Sequence, residues 1–190
     1  MRSCTPRAAS AAILILAFCL VGGLGASRAA SGDVTRFPVS LAQAITIAEA
    51  TSHANAVEAR LATQGGTPHY DVDTFANGVC WRGKIDARTG RLVGTPETEP
   101  AARLDRAERL RLRWLHDTAS VPLRRAVEIA EQRSGGVAIA SSVTSTDGKL
   151  AYDTEVAKGE RVETLRIDPQ SGRLLGGRSL PRRGDEGGSA

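Results

Sequence analysis

The chain repeats itself at one fixed spacing. Val39-Ser40-Leu41-Ala42-Gln43-Ala44-Ile45-Thr46-Ile47-Ala48-Glu49 matches Val121-Pro122-Leu123-Arg124-Arg125-Ala126-Val127-Glu128-Ile129-Ala130-Glu131, 82 residues further on. Tyr70-Asp71 matches Tyr152-Asp153, Ile85-Asp86 matches Ile167-Asp168, and Gly90-Arg91-Leu92-Val93-Gly94 matches Gly172-Arg173-Leu174-Leu175-Gly176. The offset runs without a gap over residues 39–94, with 17 identities in 56 positions. Self-similarity of this kind marks a structural unit used more than once. Two copies are too few for a solenoid, and each copy carries both helical and strand patterns. The expected fold class is therefore α+β: two tandem modules, each one helix packed on a small antiparallel sheet, joined by a partly helical linker.

Within each copy the order is the same. Leu41, Ala44, Ile45 and Ala48 fall at helical spacing on one face, and Leu123, Ala126, Val127 and Ala130 repeat that stripe. Ser40 with Gln43 forms a capping box at the start of the first helix, and Pro122 stands near the start of the second, where its missing N–H costs nothing. Short strands are expected over Ala56–Leu61 and Val137–Val143. Tyr70–Ala76 alternates, with Tyr70, Val72 and Thr74 on one face and Asp71 and Asp73 on the other. Asn77-Gly78 then predicts a two-residue hairpin turn. That register sets Asp73 opposite Arg82 and Asp71 opposite Lys84, and in the second copy Asp153 opposite Arg166. Turns at Asp86–Gly90 and Asp168–Gly172 lead into short last strands, Arg91–Val93 and Arg173–Leu175, expected at sheet edges. Gly83 stands where the second copy has Leu165, and Trp81 is expected to fill the space.

The rest of the chain is read by composition. Residues 1–29 resemble a signal peptide: Arg2 and Arg7, an uncharged apolar run from Ala11 to Leu24, and the small-x-small sequence Ser27-Arg28-Ala29. An uncleaved anchor is the competing reading, disfavoured by Gly22, Gly23 and Gly25. The formal charge of +4 first points toward a polyanion. Removing Arg2, Arg7 and Arg28 leaves 22 basic against 21 acidic side chains, a net of +1, and that argument disappears. Cys4 and Cys19 depart too, leaving Cys80 without an internal disulfide partner. Module 1 is placed at 37–95, a linker at 96–120 with a helix over Ala101–Leu115, module 2 at 121–177, and a disordered tail at 178–190.

Taken together, the stripe ending in Ile-Ala-Glu, the Tyr-Asp strand and the Ile-Asp-x-x-Thr/Ser-Gly-Arg-Leu ending resemble the PepSY domain, over about residues 39–94 and again over 121–176. The resemblance implies an inhibitory or regulatory binding module of the kind found in propeptides of secreted metallopeptidases and in small exported proteins. It carries no catalytic residue.

The chemical candidates are weak on their own terms. Asp71, Asp73 and Asp86, with His69 adjacent, form an oxygen-rich group of the sort that suits calcium; charge pairing of Asp71 and Asp73 with Lys84 and Arg82 on a wet face is preferred. Glu49 and His53 lie one helical turn apart, but the second copy has Gly135 in place of His53, so a surface pair is preferred. The histidines His53, His69 and His116 are scattered and lack a nucleophile arranged beside them. Arg103, Arg106, Arg109, Arg111 and Arg113 in the linker are balanced by Glu97, Glu99, Asp105, Glu108 and Asp117, and Arg183-Gly184-Asp185 in the tail is read as chance. No catalytic, cofactor-binding or metal-ligating residue is expected, nor any cofactor, nucleic acid or, after cleavage, membrane. The expected function is that of a non-catalytic exported module, periplasmic or extracellular, that inhibits or regulates a protein partner, a peptidase or an envelope sensor. The alternative is a periplasmic protein sensing a small ligand or metal through the cleft between the copies.

Overall fold

The computed structural model describes residues 37–146 and 148–181. The expected signal peptide, 1–29, and residues 182–190 of the expected tail lie outside the described residues. The elements run α1 (Leu41–Ser52), β1 (Asn55–Gln64), β2 (Thr67–Ala76), β3 (Val79–Asp86), β4 (Leu92–Pro100), a 3-10 turn (Ala101–Arg103), α2 (Arg106–Thr118), α3 (Leu123–Ser134), β5 (Val137–Thr146), β6 (Lys149–Lys158), β7 (Arg161–Ile167) and β8 (Leu174–Pro181). The class is α+β. The expectation of two separate small sheets is corrected: all eight strands form one antiparallel sheet, ordered β4-β3-β2-β1-β5-β6-β7-β8.

The seam between β1 and β5 explains the merger. Glu58 pairs with Ser142, Ala59 with Ser141 and Arg60 with Ala140. Ala59 thus meets the residue 82 positions on, its own equivalent, and its two neighbours cross over. The two halves are related by rotation about that pair, as subunits are across an isologous interface. Joining the two inner edges removes two rows of unpaired backbone groups that an isolated half would expose.

Local chemistry repeats with the offset in part, the capping box belonging to α1 alone. Ser40 accepts from the Gln43 amide, and Gln43 Oε1 accepts from the Ser40 amide, closing the capping box. A bulge interrupts β1 between Ala56 and Glu58, and β5 between Ala138 and Ala140. At each bulge the strand amide donates to a helix carboxylate: Ala56 to Glu49 at 3.0 Å, Ala138 to Glu131 at 2.9 Å. Asn77 and Gly78 both take positive φ, 51° and 74°, giving the expected hairpin and the register Asp73–Arg82 and Asp71–Lys84. Asp153 likewise pairs with Arg166 across β6 and β7.

Helices α1 and α3 lie side by side on one face of the sheet. Their stripes, Leu41, Ala44, Ile45, Ala48 and Leu123, Ala126, Val127, Ala130, are buried against Tyr70, Val72, Ile85, Tyr152, Val156 and Ile167 in one continuous core. Trp81 does fill the space above Gly83: a Cβ there would lie 2.1 Å from the indole. Helix α2 takes the other face. Strand alternation turns Asp73 and Phe75 away from Tyr70, Val72 and Thr74, and the His116 ring of α2 meets Phe75 edge-on, centroids 6.2 Å apart. Leu112 and Leu115 are buried in this second, smaller layer.

Three boundaries differ from the sequence reading. Residues 96–100, assigned to the linker, continue β4. Residues 178–181, assigned to the tail, continue β8. The linker helix begins at Arg106 rather than Ala101, with Asp105 as its N-cap accepting from the Glu108 amide.

Candidate functional site

The motif residues themselves tie the framework together. Tyr70 donates its hydroxyl to the Val39 carbonyl at 2.7 Å, and Tyr152 to that of Val121 at 2.8 Å. Both hydroxyls are buried enough to titrate above their ordinary range, desolvation being the main cause. Asp86 Oδ1 accepts from the amides of Arg88 and Thr89, and Asp168 Oδ1 from those of Gln170 and Ser171. These bonds hold both carboxyls below the usual range. Gly90 and Gly172 close the turns at φ 71° and 69°.

The residues of the calcium idea are engaged within the fold. Asp86 is consumed by its turn, Asp73 is engaged by Arg82, whose Nε donates to Oδ1 at 2.7 Å, and Asp71 lies 3.4 Å from His69 Nε2. Lys84 reaches Gln64 Oε1 instead of Asp71. Among the described residues no group of three His, Cys, Asp or Glu side chains is placed to hold a metal ion. Glu49 bonds the Ala56 amide, and His53 is the left-handed C-cap of α1, φ 53°. Cys80 is free and buried. One expectation is reversed: the Asp73 face is not wet. Asp73 is only 4% exposed, because the α2 layer lies over that face.

Beneath α2 the structure gathers carboxylates that the sequence reading did not connect. Glu58 pairs with Asp73 across β1 and β2. Burial first, and the Asp73 charge second, push the Glu58 carboxyl up to about 7. Asp73 is raised by burial, against the pull of Arg82. Glu108 of α2 is buried and raised for the same reason. Neither Glu108 oxygen accepts a hydrogen bond, and its ion-pair partner Arg111 stands 3.7 Å away. Glu58 could have been noticed: it is a charge in a strand where the second copy has Ala140. What the arrangement can do is hold a proton near neutrality between the linker helix and the sheet.

The two outer strands of the sheet differ. β4 carries Pro96 and Pro100, with Glu97 and Glu99 between them. Proline and charge along an edge discourage another strand from adding. β8 begins Leu174-Leu175-Gly176-Gly177, and Leu174 and Leu175 are 44% and 54% exposed. Beside it, Asp153, Thr164, Arg166, Leu175 and Arg178 line an open depression of about 370 Å³. The edges expected at Arg91–Val93 and Arg173–Leu175 are thus the sheet's two outer strands, each longer than expected.

Residues 38–95 match the family model described as the peptidase propeptide and YPEB domain, PepSY. This segment is a PepSY domain. The PepSY match ends at Val93-Gly94-Thr95, four residues into β4, so most of that proline-bearing edge lies beyond it. Among solved structures, the chain is similar to a candidate lipoprotein from Clostridium difficile 630, with 20% identity and a TM-score of 0.47, over 76% of this chain and 95% of that one. It is also similar to the YpeB C-terminal domain of Bacillus megaterium, with 14% identity and a TM-score of 0.29, over 79% of this chain and 69% of that one. No curated protein matches the chain.

Proposed function

We propose that this protein is a non-catalytic, exported regulator built from two copies of the PepSY module, and that it acts by binding another protein, an exported peptidase or an envelope sensor. The single observation that carries the reading is the contrast between the two outer strands. One edge carries two prolines and two carboxylates over residues 96–100, and the other presents leucines and glycines over its first four residues, with a proline only at its end. Strand addition to an exposed edge supplies affinity through main-chain hydrogen bonds and specificity through alternate side chains. The PepSY description itself, a peptidase propeptide, supports a peptidase as the partner. The motif residues do not compete for this role, since their polar groups are used inside the fold. The apolar run in residues 11–24 supports export.

The test is to mix the intact protein with exported metallopeptidases and read both proteolysis and complex formation. We expect a complex that weakens about tenfold or more in Leu175→Lys, because a charge on the edge repels an added strand, with the melting temperature unchanged. Binding indifferent to this substitution would remove β8 from the reading. Unchanged peptidase activity across the set at micromolar protein would remove the inhibitor.

A further inference from the structure

One row of side chains crosses the first half of the sheet beneath α2. Glu58 of β1 stands opposite Asp73 of β2, Asp73 opposite Arg82 of β3, and Arg82 opposite Glu97 of β4. Helix α2 closes over this row and adds Glu108, 3% exposed, and Arg111. Their ion pair is loose at 3.7 Å. Among the described residues, neither Glu108 oxygen accepts a hydrogen bond, and the buried Nε and Nη2 of Arg111 donate none. Other charges share the face. Arg60 of β1 is exposed, Asp71 of β2 pairs with His69, and Lys84 of β3 reaches Gln64. Glu99 of β4 stands opposite Cys80, Asp105 caps α2, and His116 meets Phe75 edge-on. Across the seam the row runs through Ser142 to Asp153, which Arg166 holds. Carboxylates outnumber cations in the first half. The buried faces of α1 and α3 carry no carboxylate.

We propose that α2 is a pH-dependent cover for this half of the sheet, docked in mildly acidic solution and released above neutrality. Docking takes Glu58, Asp73 and Glu108 out of water together. Such burial is tolerated while protons remain in the cluster and opposed once every carboxyl is ionised. Burial first, then the Asp73 charge, pushes Glu58 up to about 7, and burial raises Asp73 and Glu108 as well. The direction follows. What protonated Glu58 contributes to docking is complete below its ordinary 4.5 and is lost as pH climbs through about 7. Release is local, because the apolar stripes of α1 and α3 do not depend on these charges. At 13 residues, a released α2 is near the length at which isolated helices are marginal in water, so undocking also melts it. The sheet face with Phe75 and Cys80 is then bared.

Amide hydrogen exchange on the intact protein reads this directly, with each rate divided by its intrinsic rate at that pH. Protection of the Leu112 and Leu115 amides is expected to fall about tenfold or more between roughly pH 5.5 and pH 8. At both pH values they should exchange ahead of the amides of Ile45 and Val127. Glu58→Gln, close in size, is expected to cut that fall to about threefold or less. Glu108→Gln, which removes the charge from the helix side, should act alike. His116→Gln separates the other α2 group that can change charge near neutrality and is expected to leave the fall intact. Equal protection at both pH values would overturn the proposal. So would a fall undiminished in both carboxyl variants, or one abolished by His116→Gln. Exchange of α2 only in step with α1 and α3 would tie it to global unfolding and overturn the cover. None of these results bears on the β8 edge, which is tested by Leu175→Lys alone.

Discussion

Tyr70 and Tyr152 each reach back 31 residues to the carbonyl just before a helix. Each bond fixes where a helix starts relative to the strand beneath it. Tyr152→Phe should cost about 1 kcal/mol, the usual net value of such a bond with its acceptor left buried. Gly172 is more demanding. Its φ of 69° is poor for any other residue, and a Cβ would stand 3.2 Å from Ile129 Cδ1. Gly172→Ala should lower stability by about 1–2 kcal/mol, read as a shift in urea midpoint at constant slope. Gly90 faces Ile47 in the same way, and its alanine variant should behave alike. The titrating residues set opposite slopes with pH. Burial raises the folded-state pKa of Glu58 to about 7 from the ordinary 4.5. Its contribution is therefore complete below about 4.5 and is lost as pH climbs through 7. Asp86 and Asp168 are depressed, so theirs is present above their ordinary pKa and lost on acidification. Stability should peak near pH 5 and decline by about 2–3 kcal/mol toward pH 8. In Glu58→Gln that decline should flatten; an unaltered profile would mean that Glu58 is ionised at no cost.

At the level of elements, α2 is the piece that makes the halves unlike. It buries Leu112 and Leu115 but also the unsatisfied Glu108, so its hold on the sheet is a balance rather than a lock. Leu112→Ala should cost about 2–4 kcal/mol and loosen α2 before the rest of the fold. Cys80, on the same face as Phe75 through their cross-strand pairing, would report it. Its reaction with a thiol reagent should accelerate in Leu112→Ala under conditions where circular dichroism is unchanged. An equally slow thiol would place the cover elsewhere. Much at this scale was legible in the sequence. Asn77-Gly78 fixed a register, and the register placed Asp73 against Arg82. The extension of β4 beyond Val93 was not legible, because Pro96 and Pro100 argue against a strand wherever both edges are paired. On an outer strand they are harmless, and only the assembled sheet reveals which strand is outer. The burial of Asp73 was equally hidden. Alternation marks which face a side chain takes, and says nothing about a helix that begins at Arg106 and comes to cover it.

Across the whole molecule, the repeat predicted the parts and missed their union. A three-residue pairing between β1 and β5 has no signature of its own, since both strands read as ordinary half-buried strands. Its consequence can be measured by separation. Residues 37–104 alone would expose the inner edge of β1 and should associate, either with residues 121–181 or with themselves. Sedimentation at about 100 µM should find a dimer; a strictly monomeric fragment that keeps its circular dichroism would show that the seam contributes little.

That seam has a further consequence in terms of concentration. Were the two halves separate chains, their meeting would depend on dilution. Tethered by residues 101–120, each sees the other at an effective concentration on the order of millimolar, so assembly no longer depends on how much protein is present. The tether also releases a constraint. In a true homodimer every substitution enters twice and must suit both sides of the axis. In a single chain, one side could acquire a covering helix, a tryptophan over Gly83 and a proline-sealed edge, while the other kept its strand open.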